Sequence, residues 1–126
     1  MKNVIATTSA PGAIGPYSQA IEANNFVFVS GQLPINPATG AFAPGGVEAQ
    51  TEQSLRNLKE ILESTGCTLS DVVKTTVFLA DMQDFAAMNA VYAEFFTSEC
   101  PARSAVQVAA LPKAALVEVE AIAAKK

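Results

Sequence analysis

Residues 47–79, VEAQTEQSLRNLKEILESTGCTLSDVVKTTVFL, change their hydrophobic period partway along, and that change decides the fold. In the first half, Val47, Thr51, Leu55, Leu58 and Leu62 recur at spacings of three and four, while Glu48, Glu52, Arg56, Lys59 and Glu63 fall on the other side. Such a stripe is an amphipathic helix with one face turned to a core. Gly66 is its expected C-cap, because a left-handed residue there costs glycine little. In the second half, Val73, Thr75, Val77 and Leu79 alternate with Val72, Lys74, Thr76 and Phe78, which predicts a strand. A helix leading straight into a strand calls for a sheet on which the helix packs.

The flanks extend the pattern. Asp81 is the expected N-cap of a second helix, with Asp84 at its N3 position and a stripe of Phe85, Met88, Tyr92 and Phe95. Pro101 is expected to terminate that segment. Ser104, Val106 and Val108 alternate with Ala105 and Gln107, and Leu111-Pro112-Lys113 then turns the chain. In the last strand, Val117, Val119, Ala121 and Ala123 make one face, and Glu118, Glu120 and Ile122 the other. Upstream, Phe26-Val27-Phe28-Val29-Ser30-Gly31 is apolar on both parities, which predicts cover on both faces. Residues 9–16 and 34–40, rich in Pro and Gly, read as loops. The order is roughly β-β-α-β-α-β-β with a faint βαβ-like duplication. This predicts an α+β fold, a mixed sheet packed by two helices, with residues 1–126 forming a single domain.

Composition narrows the function. Half of the 126 residues are hydrophobic and 16% are charged, so a homo-oligomer with apolar interfaces is expected. The net charge is −4 and no run of Lys or Arg appears, which speaks against nucleic acid. Cys67 and Cys100 have no metal spacing and there is no histidine, so no metal site is expected and the thiols read as free. No apolar stretch reaches the length of a signal peptide or a membrane span, so a soluble cytoplasmic protein is expected.

Without histidine, chemistry near neutral pH must use other groups. Arg103, one of two arginines, follows Pro101-Ala102 and offers a planar, permanently charged fork for a carboxylate. Equally, it reads as a solvated or ion-paired surface residue. Glu120 could hold a water, or it could simply face solvent on an edge strand. Tyr17 after Gly15-Pro16, Ser30-Gly31 at a strand end, and Asn89 beside the second helix's stripe each have both a structural and a pocket reading. No phosphate loop, nucleotide fingerprint, Gly-x-Ser-x-Gly elbow or HExxH motif is present.

Six segments, taken in order, span essentially the whole chain. They are Ala13-Ile14-Gly15-Pro16-Tyr17-Ser18-Gln19-Ala20, Phe28-Val29-Ser30-Gly31-Gln32-Leu33-Pro34, Gln53-Ser54-Leu55-Arg56-Asn57, Val73-Lys74-Thr75-Thr76-Val77-Phe78-Leu79, Pro101-Ala102-Arg103-Ser104 and Val117-Glu118-Val119-Glu120-Ala121-Ile122-Ala123. Together they resemble the RidA (YjgF-type) reactive-intermediate deaminase family. The resemblance implies a chorismate-mutase-like fold, a homotrimer with clefts between subunits, and cofactor-free hydrolysis of 2-imino acids such as 2-iminobutanoate and 2-iminopropanoate to 2-oxo acids and ammonia. It also implies that Arg103 binds the substrate carboxylate and Glu120 positions water, while Tyr17, Ser30, Gly31, Asn89 and Ala105 line the pocket. Two positions depart from the family pattern. Ala105 stands where many deaminases carry cysteine, and Cys100 where an aromatic residue often precedes the proline. Two other readings fit the same residues: a trimeric module that binds small carboxylates or partners without turnover, and a ribonuclease or translation inhibitor.

Overall fold

The stripe at 47–62 forms helix α1 (Val47–Ser64) in the computed structural model, which describes residues 1–126. All five stripe residues are buried, and the five charged residues opposite them are exposed. Gly66, at φ +88°, follows the helix end. The Cys67 amide donates to the Leu62 carbonyl at 3.1 Å and the Gly66 amide to the Glu63 carbonyl at 3.1 Å. These are the paired bonds of a Schellman cap, so the predicted glycine stop is realised.

Six strands form one sheet in the order β1-β2-β3-β6-β4-β5. They are β1 (Asn3–Ile5), β2 (Ala20–Ala23), β3 (Phe26–Gln32), β4 (Val72–Leu79), β5 (Ala102–Gln107) and β6 (Val117–Ala124). Only the β4–β5 pair is parallel, and helix α2 (Phe85–Phe95) is its crossover. Strands β3 and β4 both run antiparallel to β6, which lies between them. Two β-α-β passages therefore exist, and they account for the duplicated look of the sequence.

Three strands precede α1 rather than two. Strands β2 and β3 are a hairpin through Asn24 and Asn25, both at positive φ (51° and 66°). This is the geometry that two-residue hairpin loops favour and that asparagine tolerates. Strand β4 also differs in detail. Its register with β6 shifts between Val72 and Lys74, so Val73 bulges outward at 46% exposure while Val72 is buried. One extra residue flips the parity of what precedes it. Asp81 caps a short 3-10 turn (Met82–Asp84), accepting from the Gln83 amide at 2.8 Å, and α2 begins only after it. That helix ends at Phe95, well before Pro101, so the proline lies beyond a loop rather than at the helix end.

Both helices pack on one side of the sheet over a core of 20 buried hydrophobic residues. Leu55, Leu58, Ile61 and Leu62 of α1, Met88 of α2, and Val27, Val77, Val117 and Val119 of the sheet are at its centre. The other side of the sheet is bare. Phe26 and Phe28, expected to be covered on both faces of their strand, stand on it at 41% and 44% exposure. No helix of the chain is long and apolar enough to cross a membrane.

Candidate active site

Alternation along β6 sends Val119 and Ala121 into the core and Glu118 and Glu120 onto the bare face. The strand is not an edge, as one reading of Glu120 required, but the middle of the sheet. Its acidic face closes one side of a cleft of about 640 Å³ whose lining includes Tyr17, Ser30, Gly31, Lys113, Glu118 and Glu120. Four of the residues expected at a site, Tyr17, Ser30, Gly31 and Glu120, thus share this space.

The cleft walls are tied from below. The buried Gln19 amide donates to the Pro11 and Thr7 carbonyls at 2.7 and 3.0 Å, and its oxygen accepts from the Thr7 amide at 2.7 Å. One side chain thereby holds the proline-glycine loop that carries Tyr17. Ser30 donates its hydroxyl to the Ser18 carbonyl at 2.6 Å, joining that loop to β3. Buried Asn57 of α1 donates to the carbonyls of Leu33 and Ile35 at 3.1 and 2.9 Å, fixing the next wall. Gly31 leaves room for the Glu118 carboxyl to lie against the strand: a methyl there would stand 2.8 Å from the Glu118 carboxyl carbon and push that side chain away. Glu118, which sequence reasoning noted only as a strand neighbour, is therefore seated on Gly31 inside the cleft. Burial pushes its carboxyl above the usual carboxylate range, and the Glu120 charge adds to the shift.

Arg103 is elsewhere. It lies within β5 beside Thr75 of β4, whose side chain is fully buried on the helix side. Laterally paired residues share a sheet face, so Arg103 points to the helices while Glu120, paired with Thr76, points away. Its guanidinium donates to Asn89 Oδ1 at 2.7 Å and stacks over Tyr92 and Phe85, at 4.7 and 5.5 Å from the ring centres. Tyr92 is locked in turn by a 2.7 Å hydrogen bond to Thr75, and burial raises its phenol pKa despite Thr75 and Arg103 acting the other way. Ala105, two residues on, shares the half-buried face of β5.

No acidic side chain lies within ion-pair distance of Arg103; the chain's salt bridges are Arg56–Glu52, Lys125–Glu22 and Lys126–Asp71. An oriented, stacked guanidinium with no counter-ion can take an anion bidentately. The expected residues thus fall into two groups on opposite faces of one sheet: Arg103, Asn89 and Ala105 on one, Tyr17, Ser30, Gly31 and Glu120 on the other. Sequence reasoning missed Lys113, Gln19 and Asn57. The Leu-Pro-Lys turn was the available signal for Lys113, while a buried amide on a polar stretch gives none. No group of three or more His, Cys, Asp or Glu side chains is arranged to hold a metal ion.

Comparison with known proteins gives a consistent picture. The family model described as endoribonuclease L-PSP matches residues 7–125. A RutC family protein of Pyrococcus horikoshii is 57% identical over the full length of both chains. A 2-iminobutanoate/2-iminopropanoate deaminase of Mus musculus is 51% identical, covering 98% of this chain and 91% of that protein. The E. coli TdcF structure with bound serine superposes with a TM-score of 0.94 at 46% identity, over 98% of this chain and 99% of that one.

Proposed function

This chain belongs to the RidA/YjgF/L-PSP family, and we propose that it hydrolyses small 2-imino acids to 2-oxo acids and ammonia in sites completed between subunits of a homotrimer. The observation that carries the reading is Arg103: stacked, oriented by Asn89 and lacking a counter-ion. A substrate carboxylate would complete it.

The second half of the chemistry belongs to the cleft on the other face. Glu120 there orients a water toward the imine carbon, with Tyr17, Ser30 and Gly31 as walls. The main chain at Ala105, beside the arginine, lines the carboxylate end without need of a thiol. An imine is already electrophilic, so a placed water and a clamped carboxylate can supply several kcal/mol of barrier reduction. A sheet separates Arg103 from Glu120 within one chain, so a site using both requires Arg103 from one subunit and Glu120 from the next. The bare sheet face, with Phe26, Phe28 and Val106 exposed, is the apolar surface such an assembly would bury. The substrate class follows the name of the mouse relative and the serine held by TdcF, and the unpaired arginine fits both.

The family model's name raises the ribonuclease reading. The chain offers neither a histidine nor a basic stripe to hold phosphates, and its net charge is −4. The assay is release of 2-oxo acid from imine generated in situ. Arg103→Ala should lose about 10²-fold or more in kcat/KM, as expected for removing a bidentate charge-assisted pair, while keeping its oligomeric state. Near-parental turnover in the folded variant would refute the reading, and imine binding without turnover by the parent would leave a carboxylate-binding module.

A further inference from the structure

Hydrolysis of an imine moves two protons from oxygen to nitrogen, and two carboxyls in opposite protonation states can accept one and donate the other in the same step. The attacking water must lose a proton as the nitrogen gains one. Later the nitrogen must gain another as the new hydroxyl loses its own. The cleft holds two carboxyls, on alternate residues of one strand face, and they occupy unequal surroundings. Glu120 is exposed and lies beside Thr76. Glu118 is half-buried, pressed on Gly31 on one side and next to Phe78 of β4 on the other.

We propose that Glu118 is the general acid of this site, donating a proton to the imine nitrogen while Glu120 accepts one from the attacking water. The inference rests on the imine-hydrolase reading above. In the first step the water oxygen bonds to the imine carbon, the C=N π pair moves to nitrogen, and nitrogen takes the Glu118 proton. Glu120 takes the water's proton, leaving a neutral carbinolamine. In the second step Glu120 returns its proton to nitrogen and the C–N pair departs with ammonia. The hydroxyl becomes the 2-oxo group and gives its proton to Glu118. Both carboxyls end as they began, Glu118 protonated and Glu120 ionised.

The surroundings favour that division. Two neighbouring carboxyls in unequal environments are pushed apart in proton affinity, and the more buried one keeps its proton. Burial and the Glu120 charge both act on Glu118 in that direction. The other groups facing it are few. Tyr17 and Lys113 line the same cleft, Ser30, Gly31 and Gln32 of β3 and Phe78 of β4 are uncharged, and Lys74 of β4 lies beyond Glu120.

The experiment compares the parent with Glu118→Gln across pH, following 2-oxo acid release from imine generated in situ. The amide keeps the shape and loses the transferable proton. The expected parent-to-variant ratio in kcat/KM is roughly 10² where Glu118 is protonated, the usual scale for general-acid catalysis. That ratio should fall toward one as pH rises and the parent's Glu118 ionises; taking a ratio cancels the titration of the substrate itself. Inhibition by 2-oxobutanoate should be little changed. A folded variant within twofold of the parent at every pH would overturn the proposal. A parent that is active and Arg103-dependent alongside such a variant leaves the hydrolase reading standing. A parent that does not accelerate imine hydrolysis removes both. Should the variant not fold, carbon NMR of labelled Glu118 in the parent decides: titration above the ordinary carboxylate range supports the assignment, and titration within it overturns it.

Discussion

Arg103 depends on shape as much as on charge. Its fork is aimed by one hydrogen bond to Asn89 and lies over the rings of Tyr92 and Phe85. Arg103→Lys keeps the charge but cannot bind bidentately or stack its plane, so it should recover little of the activity lost in Arg103→Ala. Kinetics of the two variants side by side will show this, and a lysine within threefold of the parent would reduce Arg103 to a point charge. Glu118 makes a prediction of opposite sign for stability. A carboxyl whose folded pKa is raised contributes stability below its unfolded pKa and loses it as pH rises through the folded value. At neutral pH, above the unfolded value, that contribution is reduced and burying the carboxyl is a burden, so Glu118→Gln should melt higher than the parent. The gain should vanish as the melt is repeated below the ordinary carboxylate range. At this scale the sequence was a partial guide. It marked Arg103 and Glu120 as the two charges with plausible chemistry, yet left each open to a surface role. What favours a binding role for Arg103 is the company of Asn89, Tyr92 and Phe85 across a helix–strand contact, and spacing along the chain carries no record of such company.

Among the elements, strength of periodicity governed what could be foreseen. Helix α1, β4 and β6 have long stretches of one period and appear where the pattern places them. Strand β1 has three residues and β2 four, too few to show any period, although the Asn24-Asn25 pair was a usable hairpin signal. The Val73 bulge escaped notice because both Val72 and Val73 are apolar, so either could have been the inward residue. Backbone strain is visible in two connections, at Glu99 (φ 46°) before β5 and in the turn before β6. In the 3-10 turn Pro112–Ala114, which leads toward β6, Lys113 and Ala114 both sit at positive φ (56° and 58°). An alanine in the left-handed region gives up roughly 1 kcal/mol that glycine does not, partly offset by the freer unfolded chain of glycine. Ala114→Gly should therefore stabilise the protein by about 0.5 kcal/mol, read as a rise in the urea midpoint with unchanged slope. A fall in the midpoint would mean that the turn relaxes at no cost.

For the molecule as a whole, the two-layer build leaves one side of a six-stranded sheet uncovered, with aromatic side chains on it. The apolar surplus in the composition pointed to such a surface without saying where it would lie. The opposed placement of Arg103 and Glu120 turns it into a test of shared sites. Arg103→Ala and Glu120→Ala should each be inactive alone. Unfolded together in equal amounts and refolded, they should recover about a quarter of parental activity, since in a cyclic trimer that fraction of interfaces receives both intact residues. Recovery no greater than the sum of the two alone would place both roles in one subunit.

Glu120 is on β6, which is hydrogen-bonded along both edges, whereas Arg103 is on β5, an edge strand. Amide exchange at Val119 and Ala121 should therefore require global unfolding, while amides near Arg103 exchange through local fraying. The two halves of the chemistry thus have different durability. As urea is raised below the unfolding transition, KM should climb before kcat falls. On the proposed reading, the water-placing carboxylate stands on an interior strand and the carboxylate grip on an edge strand that can let go.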